Sequence, residues 1–139
     1  MPLITRAFIK ASLVFLVLAL LSAVLLAVQA ARPFSSYVGA LGPVYFHLFM
    51  VGWVTQLIFG VAIWMFPKYS SSRPRGDERL AWAVFALVNL GLALRTLAEP
   101  FNTLQPGGAW GWLLAGSAVL QWLGGLGFVA NAWPRVKEK

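Results

Sequence analysis

The chain has no cysteine and only one histidine, His47, among its 139 residues. Without cysteine there can be no disulfide bond, no thiol catalysis and no cysteine-ligated zinc or iron–sulfur centre. A single histidine also excludes any base–nucleophile–orienter set for hydrolytic catalysis, so we expect no catalytic residues. A histidine-ligated metal site would therefore have to use His47 or its copy in a second chain.

Charged residues are also scarce, at 11% of the chain. A soluble domain averages roughly 25%, so this chain has too few to cover a surface that faces water. Four apolar stretches instead account for most of the sequence, and each has about the ~20 residues that a helix needs to cross a bilayer. They lie near residues 8–31, 43–66, 80–98 and 108–133. The sequence predicts an all-α integral membrane protein with one membrane domain over residues 1–139.

The first stretch could also be a secretory signal peptide, because Arg6 and Lys10 precede it. The apolar core of a signal peptide is about 7–15 residues long, however, and the run over residues 11–28 is longer. We therefore expect it to be a retained first span.

The basic residues are distributed unevenly between the two sides that four spans would define. One side takes the basic residues of both termini and of the middle connection, which are Arg6, Lys10, Lys68, Arg73, Arg75, Arg79, Arg135, Lys137 and Lys139. Only Arg32 and Arg95 lie near the opposite ends of the spans. The positive-inside rule then predicts an antiparallel four-helix bundle in the cytoplasmic (inner) membrane, with both termini in the cytoplasm. We expect the net charge of +7 to face anionic lipid and not nucleic acid.

Small and polar residues within the spans indicate where helices meet. Gly52, Gln56 and Gly60 recur every four residues and predict a narrow stripe on which another helix packs. The amides of Gln56, Asn89, Gln121 and Asn131 are expected to hydrogen-bond between helices, because an unsatisfied amide in lipid is costly. The many glycines of the fourth span indicate close helix packing or room for a flat cofactor. The stretch from Glu99-Pro100 to Gly108 is predicted to be an outer connection.

His47 lies about 6 Å below the outer end of the second span, at ~1.5 Å per residue. An ionisable ring at membrane depth costs free energy unless it has a partner, and neutral imidazole is the commonest protein ligand for metals. Arg95 reaches the same level on the third span. The imidazole could bind a haem iron, and the guanidinium could pair with the haem propionates. The alternatives are an interhelical hydrogen bond for His47, and for Arg95 either snorkelling to the head groups or a salt bridge with Glu99.

The run from His47 to Pro67, HLFMVGWVTQLIFGVAIWMFP, resembles the second helix of haem–copper oxidase subunit I. The resemblance is weaker over residues 111–135, and the chain looks most similar to small four-helix membrane proteins that are themselves like subunit I. It implies haem b as cofactor and His47 as an axial ligand of the haem iron, near the periplasmic end of the helix. The candidate cofactor-binding residues are then His47, Arg95, Gly52 and Trp53.

The chain also departs from that family. A full subunit I has twelve helices and additional histidines, which bind copper and supply the second axial position, whereas this chain has four predicted spans and one histidine. The resemblance therefore does not carry over a copper site, oxygen reduction or proton pumping.

Two classes of function follow from these expectations. In the first, the chain is a small b-type haem protein that transfers electrons or responds to a diatomic gas such as NO or O2. Its haem is then either shared by the two His47 residues of a homodimer or five-coordinate with one open face. In the second, the chain is a cofactor-free accessory or assembly subunit of a respiratory or denitrification complex. A transporter is disfavoured, because the acidic residues lie at the ends of the predicted spans or beyond them.

Overall fold

The computed structural model describes residues 1–71 and 74–136, and these residues form helices and turns without any strand. The α-helices are α1 (Leu3–Ala31), α2 (Ser36–Gly39), α3 (Gly42–His47), α4 (Gln56–Met65), α5 (Glu78–Leu104) and α6 (Gly108–Ala132). A π-helix, Leu48–Thr55, joins α3 to α4, and a 3₁₀ turn, Trp133–Arg135, follows α6. The predicted all-helical class is confirmed.

Four helical segments are long and apolar enough to cross a membrane: Leu3–Ala31, Gly42–Met65, Glu78–Leu104 and Gly108–Arg135. Many of their large apolar side chains are exposed. On α1 alone these are Leu3, Leu13, Val14, Val17, Leu18, Leu20, Leu21, Val24 and Val28. Apolar patches of this extent are rare on soluble monomers. They are compatible with a multi-pass membrane protein whose outer surface contacts lipid tails.

The second span packs against α1 through its glycines. A Cβ atom added at Gly52 would lie 2.7 Å from Cβ of Phe15, and one at Gly60 would lie 3.0 Å from Cβ of Phe8. Side chains larger than hydrogen at these two positions would push the helices apart. The stripe predicted from Gly52 and Gly60 is therefore a helix-packing surface.

Helices α5 and α6 make a second close contact. A Cβ atom at Gly124 would lie 2.6 Å from Cγ2 of Val88, and one at Gly127 would lie 2.9 Å from Cγ2 of Val84. Gly116 and Gly125, by contrast, have nothing within 4 Å of an added Cβ atom. The glycines of the fourth span thus fall into two groups, of which only one serves close packing with α5.

Polar side chains connect the helices inside this packing. Nδ2 of Asn89 donates to Oε1 of Gln56 at 3.0 Å, and Gln56 is fully buried. Oγ of Ser117 donates to the carbonyl oxygen of Gly91 at 2.8 Å, which links α6 to α5. Nε2 of Gln121 donates to Oγ of Ser117 on its own helix at 3.1 Å, and the same hydroxyl donates to α5. Asn131 accepts a hydrogen bond from the backbone N–H of Asp77 at 2.9 Å.

Helix α5 continues past the predicted end of the third span near residue 98 and through Pro100 to Leu104, so the first residues of the predicted connection are helical. Proline cannot donate the backbone hydrogen bond of a helix interior, which is why helices usually end before it. Here Ala98, Glu99 and Pro100 are all buried, and Oγ1 of Thr103 donates to the carbonyl oxygen of Glu99 at 2.8 Å. Packing therefore offsets the lost bond and keeps Glu99 within the helix.

The second span is not uniformly α-helical. Its eight residues from Leu48 to Thr55 form a π-helix that begins directly after His47. Oγ1 of Thr55 donates to the carbonyl oxygen of Met50, five residues earlier, at 2.8 Å. π-Helical segments are rare in proteins, and those that occur are often found at functional sites. The change in helix type therefore draws attention to the residues around His47.

Candidate functional site

His47 is the last residue of α3, and its ring is oriented by its own helix. Nδ1 of the imidazole lies 2.9 Å from the carbonyl oxygen of Pro43, one turn earlier. Because a carbonyl oxygen only accepts hydrogen bonds, Nδ1 carries the proton and donates it. In the neutral ring the second nitrogen, Nε2, then has the free lone pair. This is the tautomer in which an imidazole can bind a metal through Nε2.

The carboxylate of Glu99 lies near the same ring nitrogen of His47. Oε2 of Glu99, on α5, is 3.9 Å from Nδ1 of His47, and the two side chains are 12% and 22% exposed. Glu99 is in turn held by Arg95, whose Nε donates to Oε2 at 2.7 Å and whose terminal nitrogen donates to Oε1 at 3.3 Å. The three side chains form a row, Arg95–Glu99–His47, that joins the second and third spans.

This row contains one of the contacts predicted for Arg95. The salt bridge with Glu99, four residues later on the same helix, is present in the structure. Arg95 thus reaches the level of His47, as the sequence predicts, but it does so through a carboxylate. Pairing of Arg95 with a haem propionate stays a prediction and would have to share the guanidinium with Glu99.

Gly52 and Trp53 lie on the π-helix that follows His47. The space beside Gly52 is filled by Phe15 of α1 and Leu92 of α5, so a flat cofactor does not fit there. Trp53 packs edge-on against Phe49, with ring centroids 4.8 Å apart. The role of Gly52 in this structure is helix packing, while Trp53 belongs to an aromatic contact along the second span.

Where a haem could be held is limited by this packing. A cavity of about 550 Å³ lies at the other end of the second span, where Ile63 and residues 74–79 line it, and it does not border His47. Within residues 1–71 and 74–136, no group of three or more His, Cys, Asp or Glu side chains could hold a metal ion. His47 could supply one ligand to a haem iron, and its side chain is 22% exposed at this end of the second span.

No family model matches this chain, and neither a curated protein nor a solved structure matches it. The fold defines a class, an all-helical protein with four helices able to span a membrane. The function must then be inferred from the site itself.

The sequence predicts His47 and Arg95 as site residues and Glu99 only as a possible salt-bridge partner of Arg95, and it predicts no role for Pro43. Pro43 acts through its backbone carbonyl, which no side-chain pattern indicates. The sequence predicts a connection at Glu99 because Pro100 follows it. The signal that points to it is the spacing of Arg95 and Glu99, four residues apart, which is the spacing of an ion pair on one helix face.

Proposed function

We propose that this protein is a small b-type haem protein of the cytoplasmic membrane, in which Nε2 of His47 is an axial ligand of the haem iron. The observation that carries the proposal is the hydrogen bond from Nδ1 to the Pro43 carbonyl, with the Glu99 carboxylate behind it. Metal-ligating histidines almost always donate their other ring N–H to a carbonyl or a carboxylate, which fixes the tautomer and the ring orientation.

The chemistry of the donor set favours haem over a simple metal ion. Zinc and similar ions need three or four protein ligands, whereas a haem brings four nitrogens of its own and needs only one or two axial residues. The described residues provide a single histidine ligand at this site. When bound, the haem would supply one-electron transfer or a site for a diatomic gas. The residues of the chain would bind it, orient it and set its charge environment.

The position of His47 near the protein surface supports a site completed by a second copy of the chain. The ring is 22% exposed, while the side of the span that carries Gly52 is filled by Phe15 and Leu92. Two protomers related by a two-fold axis would each place His47 on one face of a shared haem. The sixth ligand would then come from the partner, and the protein would be a homodimer with electron transfer as its function.

We propose the topology from the charge distribution. The nine basic residues of the termini and middle connection are placed in the cytoplasm, with the four helices antiparallel and His47 near the periplasmic side. An alkaline phosphatase fused to the C-terminus should then be inactive. High phosphatase activity would show that the orientation is the opposite one, with His47 near the cytoplasmic side.

The experiment that tests the function is the replacement His47→Ala, followed by haem quantification in purified protein. We expect haem content to fall at least tenfold, with the helical circular dichroism signal unchanged. His47→Gly is the matched control, because added imidazole can occupy the space of the missing ring and should restore haem binding. Full haem occupancy with an unchanged spectrum in His47→Ala would show that another residue is the ligand.

The same preparations distinguish the accessory-subunit hypothesis. A wild-type protein that is colourless when made in haem-replete cells, and that co-purifies with larger membrane subunits, would contradict the haem proposal. It would support a cofactor-free accessory or assembly subunit of a respiratory or denitrification complex.

A further inference from the structure

The cavity of about 550 Å³ lies where three of the four spans begin or end. Its lining includes Pro2 just before α1, Ile63 in the last turn of α4 and residues 74–79 around the start of α5. Its volume is in the range of small-molecule sites, roughly 300–1,000 Å³. The ends of membrane spans lie at the level of the lipid head groups. The cavity is therefore placed where the head group of a phospholipid can enter it.

The connection that lines the cavity is held in place by side chains of the fourth span. Oδ1 of Asn131 accepts the backbone N–H of Asp77 at 2.9 Å, and Nδ2 donates to the carbonyl oxygen of Asp77 at 3.4 Å. Arg135 donates to the carbonyl oxygens of Ile63 at 3.0 Å and of Arg75 at 3.5 Å. Two walls of the cavity are thus tied to one another. A site that is ordered before the ligand arrives binds it at a smaller entropic cost.

Four exposed charged side chains line the cavity, two of each sign: Arg75, Asp77, Glu78 and Arg79. Over residues 1–71 and 74–136, none of the four lies within 4.0 Å of an opposite charge, although they are close in sequence. Oδ1 of Asp77 accepts the backbone N–H of Arg79 and so caps α5. The guanidinium groups and the carboxylate of Glu78 can therefore bind a ligand that carries both charges.

The wall below these charges is apolar. Ile4, Ile63 and Ala81 line the cavity and are buried. Guanidinium groups bind phosphate with paired, charge-assisted hydrogen bonds, and a carboxylate accepts hydrogen bonds from a primary ammonium group. A head group with a net negative charge would meet the two carboxylates without a cation of its own. The lining therefore favours an amphiphile whose polar end contains a phosphate and an ammonium group.

We propose that this cavity binds the head group of a zwitterionic phospholipid that carries a phosphate and a primary ammonium group. Arg75 and Arg79 bind the phosphate, and Glu78 accepts hydrogen bonds from the ammonium group. The glycerol and the first methylene groups lie against Ile4 and Ile63. This site is at the opposite end of the second span from His47 and does not depend on the haem proposal.

A series of lipids tests the head-group chemistry in delipidated protein, with binding measured by native mass spectrometry. We expect phosphatidylethanolamine to bind about tenfold more tightly than phosphatidylcholine, which has the same charges but no N–H donor, and than phosphatidylglycerol, which has no cation. Equal affinity for either of these lipids would overturn the assignment. Inorganic phosphate at the same concentration should not displace the lipid. Displacement would show a site for a free anion and would overturn the lipid proposal.

A pair of double variants tests the location of the site. Arg75→Gln with Arg79→Gln should lower the affinity for phosphatidylethanolamine at least about tenfold, because two charge-assisted contacts are lost. Arg6→Gln with Lys10→Gln is the matched control, since it removes the same charge from exposed side chains of α1 that do not line the cavity. Equal affinities for the two double variants would overturn the proposed site.

The variant Glu78→Gln tests the ammonium contact separately. It should weaken the binding of phosphatidylethanolamine and leave the binding of phosphatidylglycerol unchanged, with the helical circular dichroism signal preserved. An equal effect on both lipids, or no effect on either, would overturn the contact. This comparison decides the proposal even if the arginine double variant does not fold, because Glu78 is exposed and the substitution keeps its size.

Discussion

Arg135 is one of two buried charged residues in the described part of the chain, the other being Glu99. Its guanidinium donates to the carbonyl oxygens of Phe66 at 2.8 Å, Ile63 at 3.0 Å and Pro67 at 3.1 Å. These carbonyls lie at and beyond the C-terminus of α4, where the last turn of a helix has no backbone donors and the dipole is negative. Arg135 thus caps the second span with a side chain that follows the fourth.

We predict that Arg135→Met destabilises the protein by about 1–3 kcal/mol, because several buried carbonyl oxygens lose their donor at once. Lys68→Met is the matched control, since it removes a positive charge from an exposed side chain beside the same end of α4. The measurement is thermal unfolding in detergent, followed by circular dichroism. Equal melting temperatures for the two variants would show that the Arg135 cap contributes nothing.

At the scale of residues, the sequence indicates which side chains are unusual but not always what they contact. His47 stands out because it is the only histidine, and Arg95 because it lies at the same level on the next span. From the sequence, Arg135 is only one of the basic residues that predict the topology. Its capping role depends on where the turn after α6 meets the end of α4, and this is a tertiary contact that no local pattern encodes.

Helices α5 and α6 form the closest helix pair that the glycine positions reveal. Gly124 faces Val88, while its neighbour Gly125 faces open space. Valine is branched at Cβ and has few alternative rotamers, so Val88 cannot move far from an added methyl group. The two adjacent glycines therefore make a matched pair for testing this interface.

We predict that Gly124→Ala lowers stability by about 1–3 kcal/mol, because the new Cβ overpacks the contact with Val88. Gly125→Ala should be neutral or stabilising by up to about 1 kcal/mol, since alanine has the higher helix propensity and meets nothing. Thermal unfolding of both variants in the same detergent measures the difference. If Gly124→Ala is as stable as Gly125→Ala, the close approach of α5 and α6 is not present in the protein.

At the scale of elements, the number and type of the spans follow from hydropathy alone. In lipid, the backbone N–H and C=O groups of a long apolar run find their hydrogen-bond partners within a helix. The predicted bounds 43–66 and 108–133 lie within a residue or two of the observed helices. The helix end at Pro100 and the π-helix from Leu48 to Thr55 were not predictable in this way. Both depend on packing against neighbouring helices, which local propensity does not describe.

The whole molecule combines many exposed apolar side chains with a polar row where the start of the second span meets the end of the third. Two copies sharing a haem would bury that part of the surface and supply the ligand that a single chain lacks. The iron bonds would then link the protomers, so loss of haem should weaken the dimer by mass action. A gas-binding protein would instead keep one iron face open and would hold one haem per chain.

The ratio of haem to chain in purified wild-type protein tests the central claim most directly, with a carbon monoxide difference spectrum recorded on the same sample. We predict about 0.5 b-type haem per chain, as two-fold symmetry requires, with a low-spin spectrum and little response to carbon monoxide. A ratio near one with a large carbon monoxide shift would contradict the shared site. Protein without a Soret band would contradict the assignment of His47 as a haem ligand.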